Sequence, residues 1–274
     1  MAASRWTSTL RVAARRKEIR KRNPAGCRLI PNPRTQQLTI PQKMPKPRNA
    51  AILLARMNSQ RLPGKVLCIL DTKPLLQHII NRCGKCNELD DIIVATTEQQ
   101  EDDAIVNFCH HMNIKCFRGE TDSVTNRLLA CCQEYALDAF IRVNGDSPFL
   151  QPSLIDTGIQ LFNTHTPDLV TNLLNRTYPY GVAVEVVKTS TLRNAINKNL
   201  SSYQQEHPTS FLYQNPDLFQ IQEIPLLPAD FSNLRLTVDT IDDKLAAESL
   251  LKKIRITLGN TPQFDDLNLI LNLL

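Results

Sequence analysis

From residue 50 onward the apolar positions alternate between short continuous runs and helical stripes. Ala50–Ala55 (AAILLA) has the length and composition of a strand buried on both faces. Leu75–Ile80 belongs to a helix, and Ile92–Ala95 reads as a second strand. Thr97, with Gln100 three residues on, has the spacing of a capping box. In the helix that it would open, Ile105, Phe108, Cys109 and Met112 recur at i, i+3, i+4 and i+7, a core-facing stripe. Ile114–Phe117 is a third strand. Asp122 or Ser123 then starts a helix that buries Val124, Leu128, Cys132 and Tyr135. Phe140–Val143 is a fourth strand, stopped by Asn144-Gly145-Asp146, and Pro152 opens a helix carrying Ile155, Ile159 and Phe162.

This β-α-β-α alternation predicts an α/β, Rossmann-like fold with a mixed, mostly parallel sheet and helices on both faces. Ligands of such sheets sit beyond the carboxyl ends of the strands, so chemistry is sought in the loops that follow them. The second half is less regular. Asp168–Asn172, Val182–Val187, Leu218–Ile224 and Leu234–Val238 read as strands, and Ser202–Gln214 as one helix. A C-terminal helix places Ala247, Leu250, Leu251 and Ile254 on one stripe. Residues from about 174 to 232 read as a lid or dimerisation element.

Charge divides the chain. Residues 1–47 carry 12 Lys/Arg and one acid, Glu18, for a net charge of +11; residues 48–274 carry 20 Lys/Arg and 26 acids, for −6. The expectation is a basic, disordered extension over 1–47 and one folded domain over 48–274. Three readings of the extension stay open: an Arg-rich presequence, a basic arm for RNA or membrane, or sequence upstream of a start at Met44. The acidic body argues against a nucleic-acid-binding domain. No apolar run approaches the ~18 residues of a membrane span, and no long apolar secretory segment precedes the body. A cytoplasmic protein is expected, with most of its eight cysteines reduced. Cys83 and Cys86 have CxxC spacing, but no second CxxC or spaced His pair completes a zinc site.

The loop after the first strand reads Ala55-Arg56-Met57-Asn58-Ser59-Gln60-Arg61-Leu62-Pro63-Gly64-Lys65. Three cations, a hydroxyl and a Pro-Gly turn at a strand end can offer N–H groups and charge to phosphate. Neither GxxxxGK[ST] nor GxGxxG is present, so a P-loop and a dinucleotide fingerprint are both excluded. The loop is equally readable as a solvated basic turn.

The same residues closely resemble the A-R-x-x-S-x-R-L-P-G-K-x-L signature of the SpsF-like (spore coat polysaccharide biosynthesis protein F) cytidylyltransferases. These are relatives of the CMP-KDO and CMP-sialic acid synthetases. Arg56, Ser59, Arg61, Leu62, Pro63, Gly64, Lys65 and Leu67 fit the signature. The likeness continues in order through Lys73–Leu76, Ile93–Thr96, Phe117–Gly119, Arg142–Pro148, Asn215-Pro216 and Thr237–Thr240.

The resemblance implies a GT-A-like nucleotidyltransferase that uses CTP and Mg²⁺, releases pyrophosphate, and takes a small-molecule acceptor for surface polysaccharide or glycoconjugate synthesis. It also suggests a homodimer. It assigns Arg56, Lys65 and Asp146 to catalysis. Ala55, Arg56, Ser59, Arg61, Gly64, Lys65, Thr96, Arg118 and Arg127 go to the nucleotide, and Asp146 and Asp239 to the metal. Glu185, Glu206 and His207 are left for the acceptor. Read without the resemblance, Asp146 is a turn residue, Asp239 and Thr97 mark helix starts, Arg127 is a solvated helix position and Glu185 is a solvent-facing strand carboxylate. The chain departs from the pattern mainly on the acceptor side, where Ala183 replaces a common Asp, Gln205 an Arg and Asn144 a Thr. The acceptor reading is accordingly broad: an acidic sugar, a sugar or polyol phosphate, or a phosphonate, with a catalytically silent nucleotide-binding scaffold as the non-enzymatic alternative.

Overall fold

The computed structural model describes residues 46–197, 200–258 and 267–274. The expectations for the basic extension and Cys27 lie outside the described residues. The described residues form the strands β1 (Asn49–Leu54), β2 (Ile69–Leu70), β3 (Lys73–Pro74), β4 (Ile92–Thr97), β5 (Lys115–Gly119), β6 (Ala139–Asn144), β7 (Leu169–Thr171), β8 (Glu185–Lys188) and β9 (Ile221–Glu223). The helices are α1 (Leu75–Cys83), α2 (Asp103–His111), α3 (Val124–Glu134), α4 (Pro152–His165), α5 (Thr189–Ile196), α6 (Ser202–Glu206), α7 (Ser210–Gln214), α8 (Ile241–Leu258) and α9 (Leu267–Leu273).

Seven strands form one sheet in the order β5-β4-β1-β6-β8-β7-β9, while β2 and β3 make a separate hairpin. β1 runs parallel to β4 and β6, and β8 is antiparallel to both of its neighbours, β6 and β7. The pleat sends alternate side chains to opposite faces. Ala51, Leu53, Val94 and Ile141 pack with α1, α4 and α8, whereas Ala50, Ile52, Ile93 and Phe140 pack with α3 and α5. Burial on both faces is why β1 reads as an unbroken apolar run.

Three local expectations are corrected. Thr97 does not cap a helix through Gln100; a 3₁₀ turn, Gln100–Asp102, follows Gln99, and the Thr97 hydroxyl donates to the buried Asp102 carboxylate. Ser202–Gln214 is two helices, because Pro208 has no N–H to continue the ladder. The carbonyls of Gln204 and Gln205 freed there accept from Thr125 Oγ1 on α3 at 2.8 and 3.1 Å. Leu234–Val238 contributes only a single bridge, Arg235 to Tyr180. Within residues 174–232, β8 and β9 are members of the main sheet. Cys83 and Cys86 are free thiols, and the described residues contain no group of three or more metal-ligating side chains. No described helix is long and apolar enough to cross a membrane.

Candidate active site

The chain leaves β1 for β4 and β5 on one side, then returns to β6 on the other, so the strand order reverses beside β1. The carboxyl ends of β1 and β6 lie side by side there, with Leu54 opposite Asn144. A polar cavity of ≈ 470 Å³ opens at this point, where open α/β sheets bind ligands. Its floor is a close backbone approach: the Gly145 N–H donates to the Leu54 carbonyl at 3.0 Å.

The β1 loop is folded back over the cavity by its own backbone. Gly64 adopts φ 70° in the left-handed region, and its N–H donates to the Met57 carbonyl at 2.8 Å. That turn starts the 3₁₀ segment Lys65–Leu67 and carries Lys65 inward. Asp102 anchors the loop from beneath, accepting from the N–H groups of Met57 at 2.7 Å and Thr97 at 3.2 Å. The sequence gives no direct sign of this tie, because the partners are 45 residues apart.

The electrostatic centre is Asp239, just before α8. Its carboxylate takes Lys65 Nζ at 2.9 Å, Arg61 at 2.8 Å and Arg235 at 3.1 Å. Burial raises its affinity for a proton, but Lys65, Arg61 and Arg235 outweigh this and hold the carboxyl below its usual range. Lys65 Nζ also lies 3.5 Å from Asp146 Oδ2, so two carboxylates, one after β6 and one before α8, converge on one ammonium. The Asp146 carbonyl accepts from the Val238 N–H at 2.8 Å, which fastens the two segments together. Two hard oxygen donors around one cationic point suit a divalent ion such as Mg²⁺, which needs only one or two protein carboxylates beside phosphate and water.

Across the cavity, Arg56 pairs with Glu206 on α6 at 3.0 Å, and the neighbouring His207 ring packs against Tyr203 with centroids 4.5 Å apart. Thr125, bound to the end of α6, holds this segment over the site. Arg127 also lines the cavity and is 2% exposed. Its guanidinium donates to the Glu120 carbonyl at 2.8 Å, while its Nε has no partner. Burial, with Arg56 close by, lowers its pKa. Among the described residues no carboxylate forms an ion pair with it; Glu206, Asp102 and Glu120 act on it only from a distance.

The structure therefore brings Ala55, Arg56, Ser59, Arg61, Lys65, Arg127, Asp146, Glu206, His207 and Asp239 to one cavity. Gly64 shapes the loop instead of lining the cavity. Thr96 is buried in β4 and lies outside the lining. Arg118 is turned away: its guanidinium donates to the carbonyls of Thr97 at 3.0 Å and Gln99 at 2.8 Å and pairs with Asp103 at 2.5 Å. Glu185 does not face solvent; it is 1% exposed beneath Arg142. Arg127 is likewise no solvated helix residue. Arg142, Asn144 and Gly145 also line the cavity, beyond the residues that the sequence motifs mark. A cation at Arg142 inside the run Phe-Ile-Arg-Val-Asn, two residues from Asn144 and so on the same strand face, was the available signal.

A sheet switch point lined by Lys65, Arg61 and two convergent carboxylates is the setting in which an α/β protein can hold a phosphate-bearing ligand. The cytidylyltransferase family model matches residues 50–265, and the chain belongs to that family. The chain is 32% identical to the spore coat polysaccharide biosynthesis protein SpsF of Bacillus subtilis, over 74% of this chain and 85% of that protein. It is 32% identical to the 3-deoxy-manno-octulosonate cytidylyltransferase of Pelobacter propionicus, over 40% of this chain and 42% of that enzyme. The structure is similar to that of a cytidylyltransferase from Leptospira borgpetersenii serovar Hardjo-bovis, with a TM-score of 0.73 and 26% identity, covering 82% of this chain and 92% of the other.

Proposed function

We propose that the protein transfers CMP from CTP to an acidic sugar or related acceptor and releases pyrophosphate, using Mg²⁺. The observation that carries this reading is the convergence of Asp146 and Asp239 on Lys65, with Arg61 beside them, at the mouth of the β1 loop. A triphosphate of about four negative charges needs such cations. Lys65 and Arg61 would exchange their carboxylate partners for phosphate oxygens, leaving Asp146 and Asp239 to hold the metal. Bound there, the metal would polarise the phosphoryl oxygens and lower the pKa of the attacking hydroxyl. An acceptor oxygen attacks the α-phosphorus in line, its proton is lost to solvent or a nearby base, and the bond to the pyrophosphate oxygen breaks. Positioning and charge neutralisation supply the rate, so no nucleophilic Ser or Cys is needed.

The direct test is thermal stability with Mg²⁺ and CTP, UTP, ATP or GTP in turn. A nucleotide at 100 times its dissociation constant stabilises by about 2.7 kcal/mol. The expected result is a Mg²⁺-dependent shift selective for CTP. No shift with any nucleotide, on folded protein, would favour a silent scaffold.

Arg127 gives a prediction with opposite signs for stability and binding. Removing a buried cation with no counter-ion should stabilise the ligand-free protein, by about 1 kcal/mol or more. Arg127→Met should therefore melt roughly 2–4 °C higher for each kcal/mol gained in a chain of this size. The same variant should lose most of the MgCTP-induced shift. A lower melting temperature together with intact CTP binding would make Arg127 a structural residue.

A further inference from the structure

Resting on that proposed function, we propose that Arg142 reads a carboxylate of the acceptor and that Glu185 is its positioning residue. Arg142 sits near the end of β6, between β1 and β8, and its guanidinium meets Glu185 on β8. Its side chain is 17% exposed and lines the cavity, whereas that of Glu185 is 2% exposed and does not. Nε and Nη2 of Arg142 both lie 2.6 Å from Glu185 Oε2, and Nη1 donates to Asn144 Oδ1 at 3.2 Å. The guanidinium is thus clamped along its inner edge and along the strand. The remaining N–H groups of Nη1 and Nη2 have no protein acceptor among the described residues, and Arg142 lines the cavity.

The clamp is itself fixed. Glu185 Oε1 accepts from Tyr213 on α7 at 2.9 Å, and the Tyr213 hydroxyl lies 2.9 Å from Thr171 Oγ1 on β7. Burial, then the Glu185 charge, pushes the Tyr213 phenol above its usual pKa, so it stays a neutral donor. Arg142 on β6 and Tyr213 on α7 therefore meet on one carboxylate of β8, with Thr171 on β7 backing the Tyr213 hydroxyl. Burying a glutamate is costly unless its oxygens are satisfied, and here both are. A guanidinium is planar and offers paired donors at fixed spacing, which matches a carboxylate better than a single hydroxyl. Held this way, Arg142 loses little freedom on binding and presents a fork of fixed direction.

The experiment uses the whole chain and two probes, 3-deoxy-manno-octulosonate and N-acetylneuraminate. Each is paired with its primary amide, which removes the charge alone. Pyrophosphate release is followed with acceptor varied at saturating MgCTP, and MgCTP binding is read separately by thermal shift. For the wild type, at least one acid should turn over, with its amide about 100-fold poorer in kcat/KM. Arg142→Gln should raise the KM for the acid ~10- to 100-fold and erase the preference for acid over amide. Its MgCTP shift should be unchanged. Arg142→Lys should recover only part of the loss, because it keeps the charge and not the fork. Glu185→Gln should raise the same KM by a smaller factor, with kcat and the MgCTP shift retained; a purely structural role would instead lower all three together. Equal use of acid and amide, an Arg142→Gln variant with unaltered acceptor KM, or MgCTP binding without turnover of either acid would each overturn the assignment. A wild type that does not bind MgCTP would overturn the proposed function instead, and is distinguished by the thermal-shift arm.

Discussion

Asp146→Asn is expected to lose turnover by about 1,000-fold or more while the protein keeps its fold. The two halves of this expectation have different origins. The main-chain part of Asp146, whose carbonyl accepts from Val238, is untouched by the change. The side chain is partly exposed, 3.5 Å from Lys65, and its Oδ1 accepts from the Ser147 hydroxyl at 2.9 Å. An amide oxygen can replace that acceptor, so the cost in stability should stay within about 1 kcal/mol. Charge cannot be replaced in the same way. Half of the anionic pair that would hold Mg²⁺ is removed, and the remaining Asp239 is already shared among Lys65, Arg61 and Arg235. Losing a preorganised electrostatic group commonly costs 10²–10³ in kcat, and losing a metal ligand costs more. The measurement is steady-state turnover across a Mg²⁺ titration beside a denaturant melt. Activity within tenfold of wild type at every Mg²⁺ concentration would remove Asp146 from the metal site.

Legibility in the sequence followed the range of the interactions. β1, β4 and β6 were visible because strands buried on both faces need apolar residues at every position, a property of consecutive residues. The helix stripes at Ile105 and Cys109 and at Ile155, Ile159 and Phe162 were visible for the same reason. Pro208 was a readable break within Ser202–Gln214. The extended stretch at Leu234–Val238 has strand-like composition, yet it meets its neighbour at one bridge. There Gly181, at φ 95°, brings its backbone so close to Leu236 that a Cβ would lie 2.9 Å from the carbonyl. Composition does not encode that geometry.

The site divides along the same line. Arg56, Arg61 and Lys65 come from one loop, so motif and strand end together located them. Asp239 joins that loop from 174 residues away, and only the family pattern linked the two. Glu185 shows the limit of residue-by-residue reading. A lone strand carboxylate suggests either a ligand contact or a solvated face; the structure gives a third role, a buried clamp on Arg142, 43 residues earlier. Arg118 errs in the opposite sense, because a cation at a strand end looks available until the carbonyls of Thr97 and Gln99 engage it.

Gly145→Ala should damage fold and turnover together, because the added methyl strikes where stability and chemistry share the same atoms. A Cβ at Gly145 would lie 2.6 Å from the Leu54 carbonyl oxygen and 3.2 Å from Val66 Cγ1. The oxygen is backbone, fixed by the pairing of Leu54 with Asn144, and the Gly145 N–H donates to that same oxygen. At Gly119, by contrast, the nearest atoms to an added Cβ belong to the side chains of Phe117 and Arg127, which can shift. Relief at Gly145 requires the ends of β1 and β6 to part, which loosens the central strand pair and lifts Asp146 away from Lys65. Overpacking of this kind costs about 2–3 kcal/mol, or roughly 4–12 °C of melting temperature at this chain length. A displacement of about 1 Å among reacting groups costs a further ~100-fold in rate. Both quantities are measurable on one preparation, by a thermal melt and by turnover below the new transition. A Gly145→Ala protein that melts like wild type would show that the β1 and β6 ends yield freely, and the rigid floor of the cavity would then be refuted.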